Sequence, residues 1–321
     1  MNKPALNYSD IWLVPEMSSL TSSSHADVTT DFLGKQYRLP VIPANMECVI
    51  NTDIARSLSE DGYFYIMHRF GDTLKFVDTA NNENWKLISI SIGVKEIDRQ
   101  LLMTIRNRGY EIDVITIDVA HGHHVLVRDQ IAYIRHMFGS DVKVIAGNVV
   151  TPKAVEDLTR WGADAIKIGI SGSSMCTTKH QTGFHIPMFT CVELCSYSSK
   201  VPLIADSGIR EDGDIAKALV AGASMVMIGG MFGACIDSPA PFTVTQSIRN
   251  PVRHKFIHGS ASAKQKGHSK NVEGVEVVVK CNEKTIKELL SEMNDALCRS
   301  ISYAGGFNLE IFSSTKYVRT K

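Results

Sequence analysis

Apolar residues in this chain fall into short runs, separated by longer and more polar stretches of helix length. Eight runs stand out: "LPVIPAN", "YFYIMH", "LISISIG", "VITIDVA", "VKVIAGN", "DAIKIGI", "PLIADSG" and "SMVMIGG". They are rich in β-branched residues, and several are apolar at successive positions. That is the pattern of strands covered on both faces, not the in–out alternation of a half-exposed sheet. The stretches between them carry helix boundary signals. Thr151-Pro152 offers a cap and a first-turn proline ahead of "KAVEDLTRW". Gly62, Gly109, Gly162 and Gly222 each stand just before a strand, where a helix ends most readily in a left-handed residue. "GADAIKIGI" and "GASMVMIGG" read as two versions of one helix–Gly–strand unit. Strand–helix alternation of this kind predicts a parallel sheet, and eight units predict closure into a (β/α)8 TIM barrel. An open doubly wound sheet is the alternative, weakened because no GxGxxG follows any of the runs. One domain is expected over residues 1–321. Residues 1–38, with "NYSDIWLVP", form an N-terminal segment, and residues 39–250 carry the barrel.

Length and composition agree with a single barrel: 321 residues, 44% of them hydrophobic. Lys+Arg and Asp+Glu both count 34, so no overall field draws the chain to nucleic acid or to an anionic membrane. The run Ala218 to Ile236 is uncharged and long enough to test as a membrane span. Its four glycines make a buried strand between a helix end and a loop the better reading. The amino terminus lacks the charged-then-apolar plan of a signal peptide, and the seven cysteines have no framework spacing. Reduced thiols and a cytoplasmic location are therefore expected. Cys191 and Cys195 would share a helix face and are read as packing.

In a barrel of this type, chemistry sits at the carboxyl ends of the strands. The first strand ends in Asn45, the fourth in Asp118 and "HGHH", the fifth in Gly147-Asn148 and the seventh in Asp206-Ser207-Gly208. The loops "ADSGI" and "IGGMF", with Gly208, Gly229 and Gly230, have the small residues that let backbone N–H groups approach a phosphate, and Ser174 could add a hydroxyl. Asp206 is placed either to accept the hydroxyls of a ribose or to cap its own turn. The histidines of "HGHH" invite a metal reading but lack an evident third ligand. After the sixth strand comes "IGISGSSMCTTK", in which Cys176 lies among small polar residues, away from any apolar run. Such a loop can hold a thiolate for attack, or carry an inert thiol.

These motifs together resemble the IMP dehydrogenase/GMP reductase family, and within it the bacterial GMP reductases. The likeness runs in order through "NYSDIWLVP", "LPVIPANM", "YFYIMHRF", "ITIDVAHGH", "VIAGNV", "CTTK", "IADSGIREDGDIAKAL", "VMIGGMF", "HGSAS", "KNVEG" and "SISYAGG". It implies an NADPH-dependent reductive deamination of GMP to IMP through a covalent purine adduct on Cys176. Thr178 and Glu273 would serve as the proton relay for departing ammonia. Ser174, Asp206, Gly208, Gly229, Gly230, Gly259, Ser260 and Ala261 would touch the nucleotide. Asp118, Val119, Ala120, Ile170 and Ser171 would touch the cofactor, and Tyr303 and Gly305 would reach it across a subunit boundary of a homotetramer. The resemblance further implies an active-site flap over residues 251–282, a C-terminal helix and tail over 283–321, and a potassium ion on carbonyls at Ser171, Ser173 and Cys176.

The chain departs from the family pattern at "GISGSS", where Ser171, Gly172 and Ser173 replace Gly, Pro and Gly. It departs again at Ser207 and at Ser23, where relatives place a glycine and an arginine. Serine at a glycine position is expected to resist left-handed backbone angles and so disturb the cation loop. Two alternatives stay open at this level: an IMP dehydrogenase with a shortened flap, and a catalytically weak purine-nucleotide-binding protein. The first is disfavoured because "AKQKGHSKNV" contains no Arg-Tyr pair to activate water.

Overall fold

The computed structural model describes residues 4–173, 175–245, 252–259, 262 and 274–320. Its centre is a curled sheet of seven parallel strands: β1 (Val41–Pro43), β2 (Ser89–Ile92), β3 (Val114–Asp118), β4 (Lys143–Val149), β5 (Ala165–Ile168), β6 (Leu203–Asp206) and β7 (Met225–Ile228). Their order is β1-β7-β6-β5-β4-β3-β2. Ile90, Ile115, Ile145, Ile166, Ile168, Ile204 and Val226 have no solvent exposure, as expected for strands covered on both faces. Each such side chain contributes about 1.5–3 kcal/mol of burial energy.

The expected closed ring of eight strands is not formed. "YFYIMH" provides a single rung, the parallel bridge between Met67 and Ile90, in which Met67 N–H donates to the Ser89 carbonyl at 3.0 Å. The Ser91 hydroxyl also donates to the Met67 carbonyl, at 2.7 Å. Among the described residues no rung joins this segment to β1, so the sheet stays open there. β1 is itself cut to three residues between Pro40 and Pro43, where the missing N–H groups end a ladder.

Helices α1 (Thr52–Glu60), α2 (Thr73–Asn82), α3 (Glu96–Asn107), α4 (Val125–Phe138) and α5 (Pro152–Trp161) flank the first half of the sheet. α5 is bounded as its sequence predicts: the Thr151 side chain accepts from Ala154 N–H, Pro152 opens the first turn, and Gly162 closes the helix at φ 110°. In the second half come α6 (Thr178–Thr182), α7 (Met188–Ser196), α8 (Gly213–Val220) and α9 (Gly230–Gly233). The uncharged run from Ala218 is thus the end of α8, then β7, then α9. No helix among the described residues is long and apolar enough to cross a membrane.

The N-terminal segment closes the amino end of the sheet. Its hairpin, Thr30–Phe32 with Lys35–Tyr37, sets Phe32 and Tyr37 edge-on to Phe64 at 5.0 and 5.2 Å. Ile11–Leu13 pairs antiparallel with Tyr317–Arg319, tying the two ends of the chain together. At the opposite end, β8 (Phe242–Thr245), β9 (Val252–His258) and β10 (Glu276–Lys280) form an antiparallel sheet, of which β9 and β10 fall within the expected flap of residues 251–282 and β8 precedes it, in the stretch assigned to the barrel. α10 (Ile286–Tyr303) follows. It opens on a Thr285–Glu288 capping box and buries Leu289, Leu290, Met293, Leu297 and Ile301.

Candidate functional site

The carboxyl ends of β1 and β3 to β7 converge on a cavity of about 330 Å³, with Cys176 on its wall. Where β5 leaves the sheet, only glycine fits. Gly169 has φ 130°, and a Cβ there would stand 2.3 Å from the Asp206 carbonyl oxygen. Gly169→Ala is expected to cost about 2 kcal/mol or more, from overpacking added to backbone strain. Urea denaturation would measure this as a lower midpoint at unchanged slope.

The chain then passes Ser171 and returns to Cys176. Contrary to expectation, Ser171 adopts the left-handed angle, with φ 64°, and Ser207 does so with φ 92°. Ser171 is buried, and its hydroxyl accepts the Lys179 N–H at 2.9 Å while lying 3.4 Å from Cys176 Sγ. On its other side, Cys176 Sγ donates to Thr178 Oγ1 at 3.2 Å. The sulfur thus sits between two hydroxyls, at the mouth of the cavity and partly exposed. The flap reaches the same loop: Gly274 bridges Cys176, and Val275 N–H donates to the Met175 carbonyl at 2.9 Å.

Below the loop lies a buried ionic cluster. Lys167, on β5, is 2% exposed and pairs with Asp118 at 2.8 Å and Asp206 at 3.0 Å. The Asn45 amide donates to Asp118 at 3.1 Å, and Asn148 donates to Asp206 at 2.8 Å. Burial pushes the Asp118 carboxyl up, but Lys167, Arg69 and Asn45 together outweigh it and hold the group below its ordinary value. Burial likewise pulls Lys167 down, and the two aspartates raise it above its ordinary value. Asp118 and Lys167 thus stay ionised across neutral pH. Asp206 therefore anchors a charge network and does not simply cap its own turn.

Of the expected cofactor contacts, Asp118, Val119, Ala120, Ile170 and Ser171 all line the cavity with Cys176 and Thr178. The Asn148 Oδ1 beside them is buried and has no hydrogen-bond partner among the described residues. Gly208, Gly229 and Gly230 line an adjoining chamber of about 290 Å³ that shares Asp206 and Ser207 with the first, and Arg210 stands at its side. Gly259 lies at the edge of the first cavity. Ser174, Ser260, Ala261 and Glu273 fall outside the described residues. Tyr303 and Gly305 are not brought to this cavity. Tyr303 ends α10 with 71% exposure, and Gly305 packs against the Met17 carbonyl. Ser23 lies in a separate short turn, Ser23–His25.

For the expected cation, the carbonyls offered at Ser171, Ser173 and Cys176 do not all stand clear, because that of Ser173 accepts the Cys176 N–H at 3.3 Å. Two of the three "HGHH" histidines have structural partners: His124 caps α4, and His123 meets Asp157 at 3.0 Å. No cluster of His, Cys, Asp and Glu suited to a metal occurs among the described residues. Cys191 and Cys195 are buried together in α7, where the neighbouring Cys195 and burial push the Cys191 thiol up.

Sequence reading did not single out Lys167, Arg69 or Arg210. Lys167 carried a usable signal, as a lone charge inside the apolar run "AIKI", where a strand covered on both faces needs a buried partner for it.

Residues 5–320 match the model of the IMP dehydrogenase / GMP reductase domain. The GMP reductase of Oenococcus oeni is 44% identical over 316 residues, covering 97% of this chain and 96% of that protein. The GMP reductase of Helicobacter pylori is 42% identical over 321 residues, covering 98% and 96%. That of Streptococcus pyogenes serotype M4 is 44% identical over 322 residues, covering 99% and 96%.

Proposed function

The chain belongs to the IMP dehydrogenase / GMP reductase family, and from that premise we propose that it reduces GMP to IMP with release of ammonia, using NADPH. The observation that carries this reading is Cys176 Sγ, held between the Ser171 and Thr178 hydroxyls at the wall of a cavity floored by Asp118, Lys167 and Asp206.

In this reading Cys176, as a thiolate, adds to C2 of the purine. A C–S bond forms, the C2–N bond breaks, and the nitrogen leaves as ammonia after taking up a proton. Thr178, whose hydroxyl touches the sulfur, stands where that proton must pass, and Glu273 is proposed as its partner. NADPH, when bound, supplies a hydride to C2. The C–S electron pair then returns to sulfur, which regenerates the thiolate and frees IMP. Over the cycle GMP, NADPH and two protons become IMP, NADP+ and ammonium, so no other reductant is needed.

Asp206 would hold the ribose hydroxyls, with the phosphate in the chamber of Gly208, Gly229 and Gly230. Asp118 to Ala120 and Ile170 would hold the cofactor. The orphaned Asn148 Oδ1 supports a polar ligand at this boundary. We assign potassium no step.

We extend the reading to a cytoplasmic homotetramer, in which Tyr303 and Gly305 of one subunit approach a neighbour's cofactor. The exposed Trp12, Met17, Tyr303, Phe307 and Val318 support an interface there, on segments that the Trp12–Val318 pairing and the Glu16–Tyr303 hydrogen bond join together.

The experiment is an absorbance assay with the purified protein. GMP with NADPH is expected to oxidise the cofactor and yield IMP and ammonia, whereas IMP with NAD should yield nothing. Reduction of NAD by IMP would point instead to a dehydrogenase. Tight nucleotide binding without turnover in either assay would point to a binding protein.

A further inference from the structure

The Ser171 side chain has a consequence of its own for the sulfur chemistry. Its backbone has a positive φ of 64°, an angle costly for any residue with a Cβ. It is buried, and its hydroxyl oxygen is held by the Lys179 N–H at 2.9 Å. A hydroxyl carries one proton. With a lone pair of Ser171 Oγ occupied by Lys179, that proton is directed to the remaining neighbour, Cys176 Sγ at 3.4 Å. The neutral thiol spends its own proton on Thr178 Oγ1, 3.2 Å away on the other side. Ser171 donates to the sulfur both before and after the thiol ionises. Its donor is therefore set in place before the charge appears and needs no reorganisation.

We propose that Ser171 is a catalytic residue of this chain, a fixed hydroxyl donor to the Cys176 sulfur that stabilises the thiolate before attack and again on release. The role rests on the covalent reading of Cys176, but the contact itself can be tested apart from turnover. A donor to sulfur raises the thiolate population and also blunts its nucleophilicity, so the two effects partly cancel in simple alkylation. They do not cancel when sulfur departs, because a stabilised thiolate is the better leaving group.

The test compares the wild type with Ser171→Ala and Ser171→Gly at one pH and one potassium concentration. Both variants lack the hydroxyl. Alanine keeps the backbone strain, while glycine adopts φ 64° freely and so folds even if alanine does not. Iodoacetamide labelling of Cys176, followed by intact mass, is expected to slow about threefold in both. The kcat for GMP reduction should fall about tenfold, which is the scale of one hydrogen bond to a charged group. The KM for GMP should stay within about twofold, since the contact is to sulfur and not to the nucleotide. Labelling of the glycine variant at the wild-type rate would overturn the proposal, because strain and not the hydroxyl would then govern the thiol. A rise in KM at unchanged kcat would overturn it too, by assigning Ser171 to binding alone. Should the protein prove not to reduce GMP at all, the labelling rates still decide whether the hydroxyl acts on the sulfur.

Discussion

Cys176→Ala is expected to abolish GMP-dependent NADPH oxidation, lowering kcat by a factor on the order of 10⁴ or more, as removal of a covalent nucleophile does elsewhere. Nucleotide binding should survive within a few-fold, because the substitution empties one position on the wall and leaves the Asp118–Lys167–Asp206 floor in place. No other thiol can stand in. Cys48, Cys191, Cys195, Cys235, Cys281 and Cys298 are all buried. Of these, burial pushes Cys235 up to about 11 and also raises Cys298. Cys48 is occupied in donating to the His258 carbonyl at 3.5 Å. Intact-protein mass spectrometry after mixing with GMP should show a nucleotide adduct on the wild type and none on the variant. A variant that still turns over would show that the thiol does not take part, and the covalent scheme would fall with it.

Seven of the eight apolar runs are strands because their residues need cover on both faces and nothing nearby competes for their backbone groups. "YFYIMH" has the same composition, yet among the described residues it makes one rung with β2 and none with β1. Its pairing partner, Ile90, lies far along the chain, so no local pattern reveals that outcome. Helix ends were legible for the opposite reason. Thr151, Pro152 and Gly162 act within one turn of their own positions.

The site divides along the same line. Cys176 was conspicuous because a cysteine among glycines and serines, past the end of a strand, has nothing to pack against. Lys167 was hidden because its two partners come from β3 and β6: the parallel register sets Asp118 level with it and Asp206 two residues beyond its neighbour Ile204. Ser171 was noticed as a departure, but its effect was misjudged. Sequence shows that serine dislikes a left-handed angle, and it cannot show that Lys179 and Cys176 would both engage the hydroxyl there.

Lys167→Met should impair both halves of the pocket at once, and in a pH-dependent way. In the folded wild type Asp118 lies below its ordinary value, so its share of stability is complete above the unfolded carboxylate value and is lost as pH falls through the folded one. Lys167 is raised, so its share is complete below the unfolded lysine value and is lost only as pH rises through the folded one. Across neutral pH both contributions are present. Methionine keeps the length of the side chain and removes the charge, which leaves two carboxylates facing each other with Arg69 as the remaining cation near Asp118. Breaking a buried pair in this way costs about 3–5 kcal/mol. The variant can recover part of that loss by protonating a carboxylate, which burial and like charge both favour. Chemical denaturation should therefore show the gap to the wild type widest near about pH 8 and narrowing toward about pH 5. With Asp206 proposed for the nucleotide and Asp118 for the cofactor, the Michaelis constants for GMP and NADPH should rise together, each by about tenfold, the scale of one lost charge-assisted contact. A gap that stays constant with pH, or a rise confined to one of the two constants, would mean that the ammonium does not hold the two carboxylates as a unit.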